Sequence, residues 1–283
     1  MFDWLYKFSN EFIILFWVIT ILLLTFSCIR LIEFFLPSKD LVRGSKLASY
    51  LHQSVVNLCS LVLAFSLFQV LDEVQRVDTL VSMEATQLNN LDRVLTRYDD
   101  PRAQAIRPAL HEYARSIVQD EWPLLLKQQG SQATSDKFKP LSQAIFRLQP
   151  QGDRQTSLYS KAIDLSEQLA QSRDARIDAS TKRLPPIYWA VIALTFIAVS
   201  GISAMIQLEK FTYIQLGMLL AALAGMVALI FAFDRPFMGD SGVKPDAIER
   251  VIKSMDERHS GLHPSQGIQL SYSNNLNFHI GTN

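Results

Sequence analysis

The sequence contains few charged residues. Asp, Glu, Lys and Arg make up 19% of its 283 residues, whereas soluble domains contain about a quarter. Four apolar stretches contain no Asp, Glu, Lys or Arg, namely residues 12–29, 47–71, 184–208 and 211–233, which are 18, 25, 25 and 23 residues long. A hydrocarbon core of about 30 Å is crossed by about 20 apolar helical residues. The lack of charge therefore excludes a soluble globular protein and predicts a membrane protein with four spans.

The chain also lacks a surplus of either charge and has only two cysteines. Its 27 basic residues balance its 27 acidic ones, which gives no support for nucleic acid as a partner, because such proteins carry a basic surface. Cys28 and Cys59 lie in two different apolar stretches. Their number excludes a disulfide framework or a thiolate metal site, and we expect both to be small buried side chains.

Motifs that mark enzymes are missing as well. His111-Glu112 does not begin a zinc motif, because Arg115 stands where the second histidine belongs. The chain contains no Gly-x-Ser-x-Gly sequence and no phosphate-binding glycine loop. We therefore predict that the protein is not an enzyme and has no catalytic residues, no metal site and no cofactor.

The charge-free stretches divide the chain into two membrane hairpins around a polar insert, so the predicted fold class is an all-α membrane protein. Pro37 ends the first span, and Pro185-Pro186 precede the third. A tail rich in Ser, Asn, Gln, Gly and His is expected to be disordered. The predicted order is a first hairpin (1–71, spans 12–36 and 47–71), a helical insert (72–184), a second hairpin (185–233, spans 187–208 and 211–233), a post-membrane segment (234–259) and the tail (260–283).

Residues typical of turns indicate where the helices of the insert begin and end. No Gly or Pro occurs from Asp72 to Tyr98, so we expect one helix to continue from the second span into the insert. Asp100-Pro101 predicts the start of the next helix, which ends near Trp122-Pro123. The rest of the insert is predicted as a loop at 130–135, a helix at 137–148 and a long helix at 154–184.

The second span carries a polar stripe. Polar or small residues recur there at spacings of three and four, on one helix face: Ser49, Gln53, Asn57, Ser60 and Ala64. Polar side chains of a membrane helix meet other helices or water rather than lipid. One interpretation is hydrogen bonding within the helix bundle. The other is the wall of an aqueous pathway that narrows at Leu67 and Phe68, since apolar rings gate pores by dewetting.

A compact motif follows the fourth span and comprises Asp234, Arg235, Pro236, Phe237, Gly239 and Asp240. One interpretation is an interfacial anchor in which Pro236 stops the helix and Asp234 pairs with Arg235 or another basic group. The other is a gating latch in which Phe237 packs against the helices of the insert. Four basic residues before the third span are expected to anchor it at the membrane surface or to concentrate anions there: Arg173, Arg176, Lys182 and Arg183.

Several short stretches form a recognisable combination of motifs. They are Glu84-Ala85, the segment from Glu112 to Val118 followed by Asp120-Glu121-Trp122-Pro123, Asp174-Ala175-Arg176 with Leu184-Pro185-Pro186, and the segment from Asp234 to Asp240 followed by Val243 and Pro245. With its Glu-Trp-Pro and Asp-Arg-Pro-Phe-x-Gly elements, the chain resembles the bacterial bestrophin-like family over roughly residues 50 to 250. That family is largely uncharacterised and is distantly similar to the bestrophin anion channels.

The resemblance implies a pentameric channel with four spans and long helices that continue into the cytoplasm. Its partners would be the lipid bilayer, further copies of the same chain, and inorganic anions such as chloride. Bestrophins carry an acidic calcium clasp after the fourth span, whereas only Asp240 and Asp246 occur here. Because Ca²⁺ takes six to eight oxygen ligands, the sequence does not predict a calcium site.

Two functional hypotheses follow. The first is an oligomeric, bestrophin-like ion channel that conducts anions along a pathway lined by the second span, with the candidate residues Gln53, Asn57, Ser60, Ala64, Leu67 and Phe68. The second is a non-conducting membrane scaffold or sensor whose helical insert binds a protein or ligand. A channel requires the polar stripe to face an axis between subunits, whereas a scaffold requires it to be buried inside one subunit.

The basic residues near the spans predict the orientation of the protein. Ten lie on the side of the insert and termini and five on the opposite side, so the insert and both termini are expected in the cytoplasm of a bacterium, with the spans in the inner membrane. A reporter active only in the periplasm should be silent when fused after Gly130. The same reporter inserted between residues 38 and 46 should be active, and activity at Gly130 would invert the orientation.

Overall fold

A computed structural model describes residues 4–35, 46–204 and 210–259. The regular elements within these ranges are helical, as the predicted all-α fold requires. A 3₁₀ turn (Leu5–Lys7) is followed by α1 (Asn10–Phe35), α2 (Lys46–Arg97), α3 (Pro101–Ser116), a π-helical turn (Ile117–Glu121), α4 (Trp122–Leu125), α5 (Gln132–Phe146), α6 (Gly152–Thr181), α7 (Pro186–Ser203), α8 (Lys210–Phe233) and α9 (Asp246–His259).

The predicted number of four spans is confirmed. Segments long and apolar enough to cross a membrane lie within Asn10–Ile32, Ala48–Arg97, Gly152–Ser203 and Tyr213–Phe233. Helix α2 is continuous over 52 residues, which at 1.5 Å per residue is about 78 Å. It is therefore far longer than one crossing of the bilayer. The predicted tail (260–283) and most of the links inside the two hairpins lie outside the described residues.

The first of two structural units comprises the described residues within 4–79 and 176–244 and contains the spans. Within it, α1 packs against α7 and α8. The Trp17 and Trp189 rings stack with their centroids 6.2 Å apart. The apolar core draws on all four spans and includes Ile21, Leu63, Val199 and Leu220.

Hydroxyl groups inside the third span are satisfied by their own helix. Thr195, Ser200 and Ser203 donate to backbone oxygens three or four positions earlier, at distances of 2.8, 2.7 and 2.7 Å. Because the hydrocarbon core offers no water, this local bonding lets α7 bury polar side chains without losing hydrogen bonds. The helix begins at Pro186, where the missing backbone N–H is not needed for the helix ladder.

The second unit comprises the described residues 80–175 and 245–259 and contains most of the insert and α9. Within it, α3 packs against α5 and α9. Leu88, Leu91 and Leu95 recur at spacings of three and four, so one face of α2 supplies part of the core. Leu110 and Tyr113 of α3 are buried with no exposed surface. The second unit is thus held together by an apolar core between the faces of its helices.

Two side chains cap helices of the insert. Asp100 accepts the backbone N–H of Arg102 at 2.7 Å, which starts α3 at the predicted place. Ser131 accepts the N–H of Thr134 at 3.2 Å, and α5 therefore begins at Gln132. The prediction of a loop over 130–135 is therefore wrong. Ser131 lies in a polar stretch that is typical of a loop, and this composition did not indicate that Ser131 caps a helix.

A buried ion pair lies at the bend that follows α3. Glu121 ends the π-helical turn and has no exposed surface. Nη2 of Arg173 donates to its carboxylate at 2.6 Å, and the backbone N–H of Ser131 donates at 3.1 Å. Arg173 also donates to the Ser131 carbonyl at 2.9 Å. Arg173, which we expected to anchor the third span at the membrane surface, instead joins α6 to the segment before α5.

A second buried carboxylate, that of Asp92, binds an arginine of α9. The Asp92 side chain is 1% exposed and accepts hydrogen bonds from Nε of Arg107 at 2.9 Å and Nε of Arg258 at 2.7 Å. Arg258 also donates to Oδ1 of Asn89 at 2.9 Å. These charge-assisted bonds attach α9 to the end of α2 and to α3.

Replacing Arg173 with Ala would remove a guanidinium group that pairs with the buried Glu121 carboxylate at 2.6 Å. Loss of one partner of a buried pair costs about 3–5 kcal/mol, so we expect a clear drop in the melting temperature of the detergent-solubilised protein. Lys139→Ala is the matched control, because Lys139 pairs with Asp136 on the surface at 3.9 Å, and exposed pairs contribute about 0–1 kcal/mol. Equal melting temperatures for the two variants would contradict a stabilising role for the buried pair.

Candidate functional site

The polar stripe of α2 lies on the surface of the subunit. Another face of the same helix is buried in the core and is formed by Val56, Cys59, Leu63 and Val70. The stripe has exposed side chains at Gln53, Asn57 and Ala64 and a half-buried one at Ser60. The helix bundle of one subunit therefore does not enclose this face.

Hydrogen bonds order the polar side chains of the stripe. Nε2 of Gln53 donates to Oδ1 of Asn57 at 2.9 Å, and the Ser60 hydroxyl donates to the Val56 carbonyl at 2.9 Å. The amide of Asn57 carries two N–H donors of its own. Uncharged donors of this kind can replace water around an ion or bind a bridging water.

The same face becomes apolar one helical turn beyond Ala64. Leu67 is half-buried, and Phe68 is 70% exposed. Beside this face, Leu58 and Phe65 are also largely exposed and form an apolar flank. Helix α2 thus presents a face that changes from amide and hydroxyl groups to bulky apolar groups, next to a flank suited to lipid.

The histidine of the second span was not selected from the sequence. His52 is half-buried, and its Nε2 atom is buried without a hydrogen bond from the described residues. An ionisable residue inside a span is costly and is a candidate for a functional role. The signal in the sequence was the single histidine of the stretch 47–71. Histidine was not counted with Asp, Glu, Lys and Arg as a charged residue.

The motif after the fourth span begins with a hydrogen bond to the start of the second hairpin. Oδ1 of Asp234 accepts the backbone N–H of Leu184 at 2.6 Å. Because Asp234 follows α8 and Leu184 precedes α7, the bond joins the ends of two neighbouring spans. Burial raises the pKa of Asp234, and this hydrogen bond and the nearby positive charges of Arg235 and Arg183 oppose that effect.

Arg235 lies against the N-terminal turn and is 9% exposed. Its guanidinium carbon is 5.5 Å from the centroid of the Tyr6 ring, a cation–π contact. Tyr6 in turn donates its hydroxyl to the Phe231 carbonyl at 2.7 Å and stacks on the Phe231 ring at 4.7 Å. Tyr6 was not selected from the sequence, because aromatic residues next to spans are ordinary features of the membrane interface.

The remaining motif residues form a tight turn. The Val243 N–H donates to the Pro236 carbonyl at 2.7 Å, and Phe237 is buried. Gly239 adopts a φ of 74°, a left-handed conformation that favours glycine. Asp240 is exposed. Within the described ranges, no group of three or more His, Cys, Asp or Glu side chains is placed to hold a metal ion.

A methyl group at Gly242 would meet the backbone of this turn. A Cβ atom there would lie 2.8 Å from the carbonyl carbon of Phe237 and 2.9 Å from the carbonyl oxygen of Met238. Since backbone cannot move aside as a side chain does, Gly242→Ala should destabilise the protein by about 1–3 kcal/mol, measured as a lower melting temperature. Gly225→Ala is the control, because a Cβ atom there meets nothing within 4 Å. If Gly242→Ala melts with the wild type, the described turn is incorrect.

Comparisons with known proteins address the family and the fold of the chain. A family model described as a bestrophin-like domain matches residues 19–248. No curated protein matches the chain significantly.

Solved structures resemble the chain in fold. The crystal structure of a bacterial bestrophin homolog from Klebsiella pneumoniae matches with a TM-score of 0.63 at 14% identity, over 89% of this chain and 100% of that one. A variant of the Klebsiella pneumoniae homolog matches with a TM-score of 0.62 at 14% identity, over 86% and 98% of the two chains. A crystal structure of a membrane protein variant gives a TM-score of 0.64 at 13% identity, over 89% and 100%.

Proposed function

The chain belongs to the bestrophin-like family, and from this premise we propose that it forms an oligomeric channel for anions such as chloride, lined by α2. Its family and its four-span fold indicate an ion channel rather than an enzyme. It is an integral membrane protein. The observation that carries the proposal is the exposure of the polar stripe on a single subunit.

A polar face on a membrane helix is unfavourable in lipid. An amide group moved from water to hydrocarbon without a partner costs roughly 4–8 kcal/mol. The amides of Gln53 and Asn57 bond to one another, but both side chains remain exposed on the subunit. Their further partners must therefore come from another copy of the chain or from water. A ring of subunits offers both, since it encloses an axis along which water replaces lipid.

Closed cyclic symmetry is the usual way for such subunits to assemble. We propose a pentamer, by resemblance to bestrophins, with one α2 from each subunit around the axis. Leu67 and Phe68 would then form apolar rings next to the amide-lined section. Such rings exclude water when they are narrow, so this section is the proposed gate.

The proposed preference for anions rests on the donors of the stripe. Residues 47–71 contain no Asp or Glu, and amide N–H and hydroxyl groups stabilise negative charge. Lys182 and Arg183 follow α6 near the start of the third span and raise the local concentration of anions. The proposal includes a bacterial inner membrane with the insert and both termini in the cytoplasm, because ten basic residues lie on that side against five.

Replacing Phe68 with Ala tests the proposed gate. If Phe68 narrows a water-filled path, its removal lets the constriction fill with water more easily, and halide flux into liposomes should rise with little change in melting temperature. Phe65→Ala is the matched control, because Phe65 is a similarly exposed phenylalanine on the apolar flank of α2. Its flux should remain at the wild-type level.

Two results would contradict the channel. One is an absence of flux from the wild type and from Phe68→Ala, together with a drop in melting temperature equivalent to about 3–5 kcal/mol for the variant. That combination would place Phe68 in a dry contact and favour the non-conducting scaffold or sensor. The other is a monomeric mass from light scattering in mild detergent, which would exclude both the ring and the pathway along its axis.

A further inference from the structure

The face of α2 that carries the polar stripe continues beyond the membrane. Asn57 and Ala64 of the stripe are followed on α2 by Leu71 and Asp78, each seven residues after the one before. Helix α2 is unbroken over these positions, and seven residues are close to two helical turns. The four residues therefore form one row along the helix, and all four are exposed on the subunit.

The other charged residues at this end of the span lie on different sides of α2. They are Asp72, Glu73 and Arg76, and with about 100° of rotation per residue they lie about 100–160° from the centre of the stripe. The Glu73 carboxylate lies 3.3 Å from Nη1 of Arg76 and 3.8 Å from Nζ of Lys182, which follows α6 in the same subunit. Asp78 is therefore the one charged residue of the segment 72–79 that lies on the stripe face.

The neighbouring turns of α2 supply no cation to Asp78. Side chains on a helix surface meet those three and four positions away, and these positions hold Val74, Gln75, Val81 and Ser82. An exposed aspartate carries a negative charge at neutral pH. The charge of Asp78 therefore acts on whatever lies in front of the stripe face.

Along the helix, Asp78 lies beyond the proposed gate on the side of the insert. It follows Phe68 by ten residues and follows Leu71, the last residue of the charge-free stretch, by seven. At 1.5 Å per residue, these separations are about 15 Å and about 10 Å. The carboxylate thus lies outside the hydrocarbon core, where a charged side chain avoids the cost of burial in lipid.

We infer that Asp78 limits the preference of the pathway for anions, an inference that rests on the proposed channel. With one α2 from each subunit around an axis, the Asp78 carboxylates form a ring at the insert-side mouth of the pathway. A ring of carboxylates attracts cations and repels anions. The ring opposes the amide and hydroxyl donors of the stripe, and it therefore lowers the ratio of anion permeability to cation permeability.

The ion selectivity of Asp78 variants tests this role. The full-length protein is placed in a planar lipid bilayer between two KCl solutions of unequal concentration, and the reversal potential gives the ratio of chloride permeability to potassium permeability. Asp78→Asn removes the charge with little change of shape. We expect it to raise this ratio about tenfold, the lower end of the effect that charge-lined clefts have on local ion concentration. Asp78→Lys reverses the charge and should raise the ratio further.

Asp72→Asn is the matched control. Asp72 is an exposed aspartate of the same helix that lies about 100° from the stripe, so this variant loses the same charge without changing the ring. Its permeability ratio should equal that of the wild type.

The salt concentration provides a second readout. The effect of Asp78→Asn should be large at about 0.01 M salt, where charges act over about 30 Å, and small at about 1 M, where they act over about 3 Å. A structural role of Asp78 would not produce this dependence on salt.

Three results would overturn the role of Asp78 and leave the channel standing. Equal permeability ratios for the wild type and both Asp78 variants would make Asp78 an ordinary solvated charge. An equal rise for Asp72→Asn would assign the effect to the net charge of the surface. An effect that is undiminished at 1 M salt would exclude an electrostatic cause. In contrast, an absence of current from the wild type and from every variant would overturn the channel and this inference together.

Discussion

Helices in a bilayer cannot obtain hydrogen bonds from water, and the structure of the membrane unit follows from this constraint. Backbone groups bond within the helices, and the hydroxyls of Thr195, Ser200 and Ser203 bond to their own helix. The stripe of α2 is different, because its amides at Gln53 and Asn57 are exposed on the subunit. Local bonding satisfies the first group of side chains, whereas the amides of the second group bond to one another and remain exposed.

The lack of water as a hydrogen-bond partner matters less at the ends of the spans, and charged side chains follow the apolar stretches directly. These charges hold chain segments together. Asp234 binds the backbone of Leu184, and Arg235 covers the ring of Tyr6, which is itself bonded to Phe231. The post-membrane motif therefore connects the N-terminal turn, the start of the second hairpin and the end of α8. This arrangement fits an interfacial anchor, and Asp234 and Pro236 of the motif also line a cavity of about 260 Å³.

Two buried carboxylates in the insert are tolerated because each has several partners. Glu121 receives donors from Arg173 and from the backbone of Ser131, and the carboxylate of Asp92 receives two guanidinium groups. Removing one member of such a group is costly, since it leaves a buried charge with less compensation. The Glu-Trp-Pro element resembles a family motif in sequence, and in the structure its glutamate has the local role of joining α6 to the bend after α3.

Charge-free stretches and a long run without Gly or Pro were sufficient to predict the four spans and the continuous helix α2, because hydropathy and helical periodicity depend on neighbouring residues. The stripe was predicted to share one face for the same reason. The start of α5 was not predicted, since it depends on one hydroxyl, that of Ser131. Only the tertiary structure decided that the stripe is exposed and that Arg173 meets Glu121. These contacts join residues far apart in the chain, and no local pattern specifies which distant side chain fills a given space.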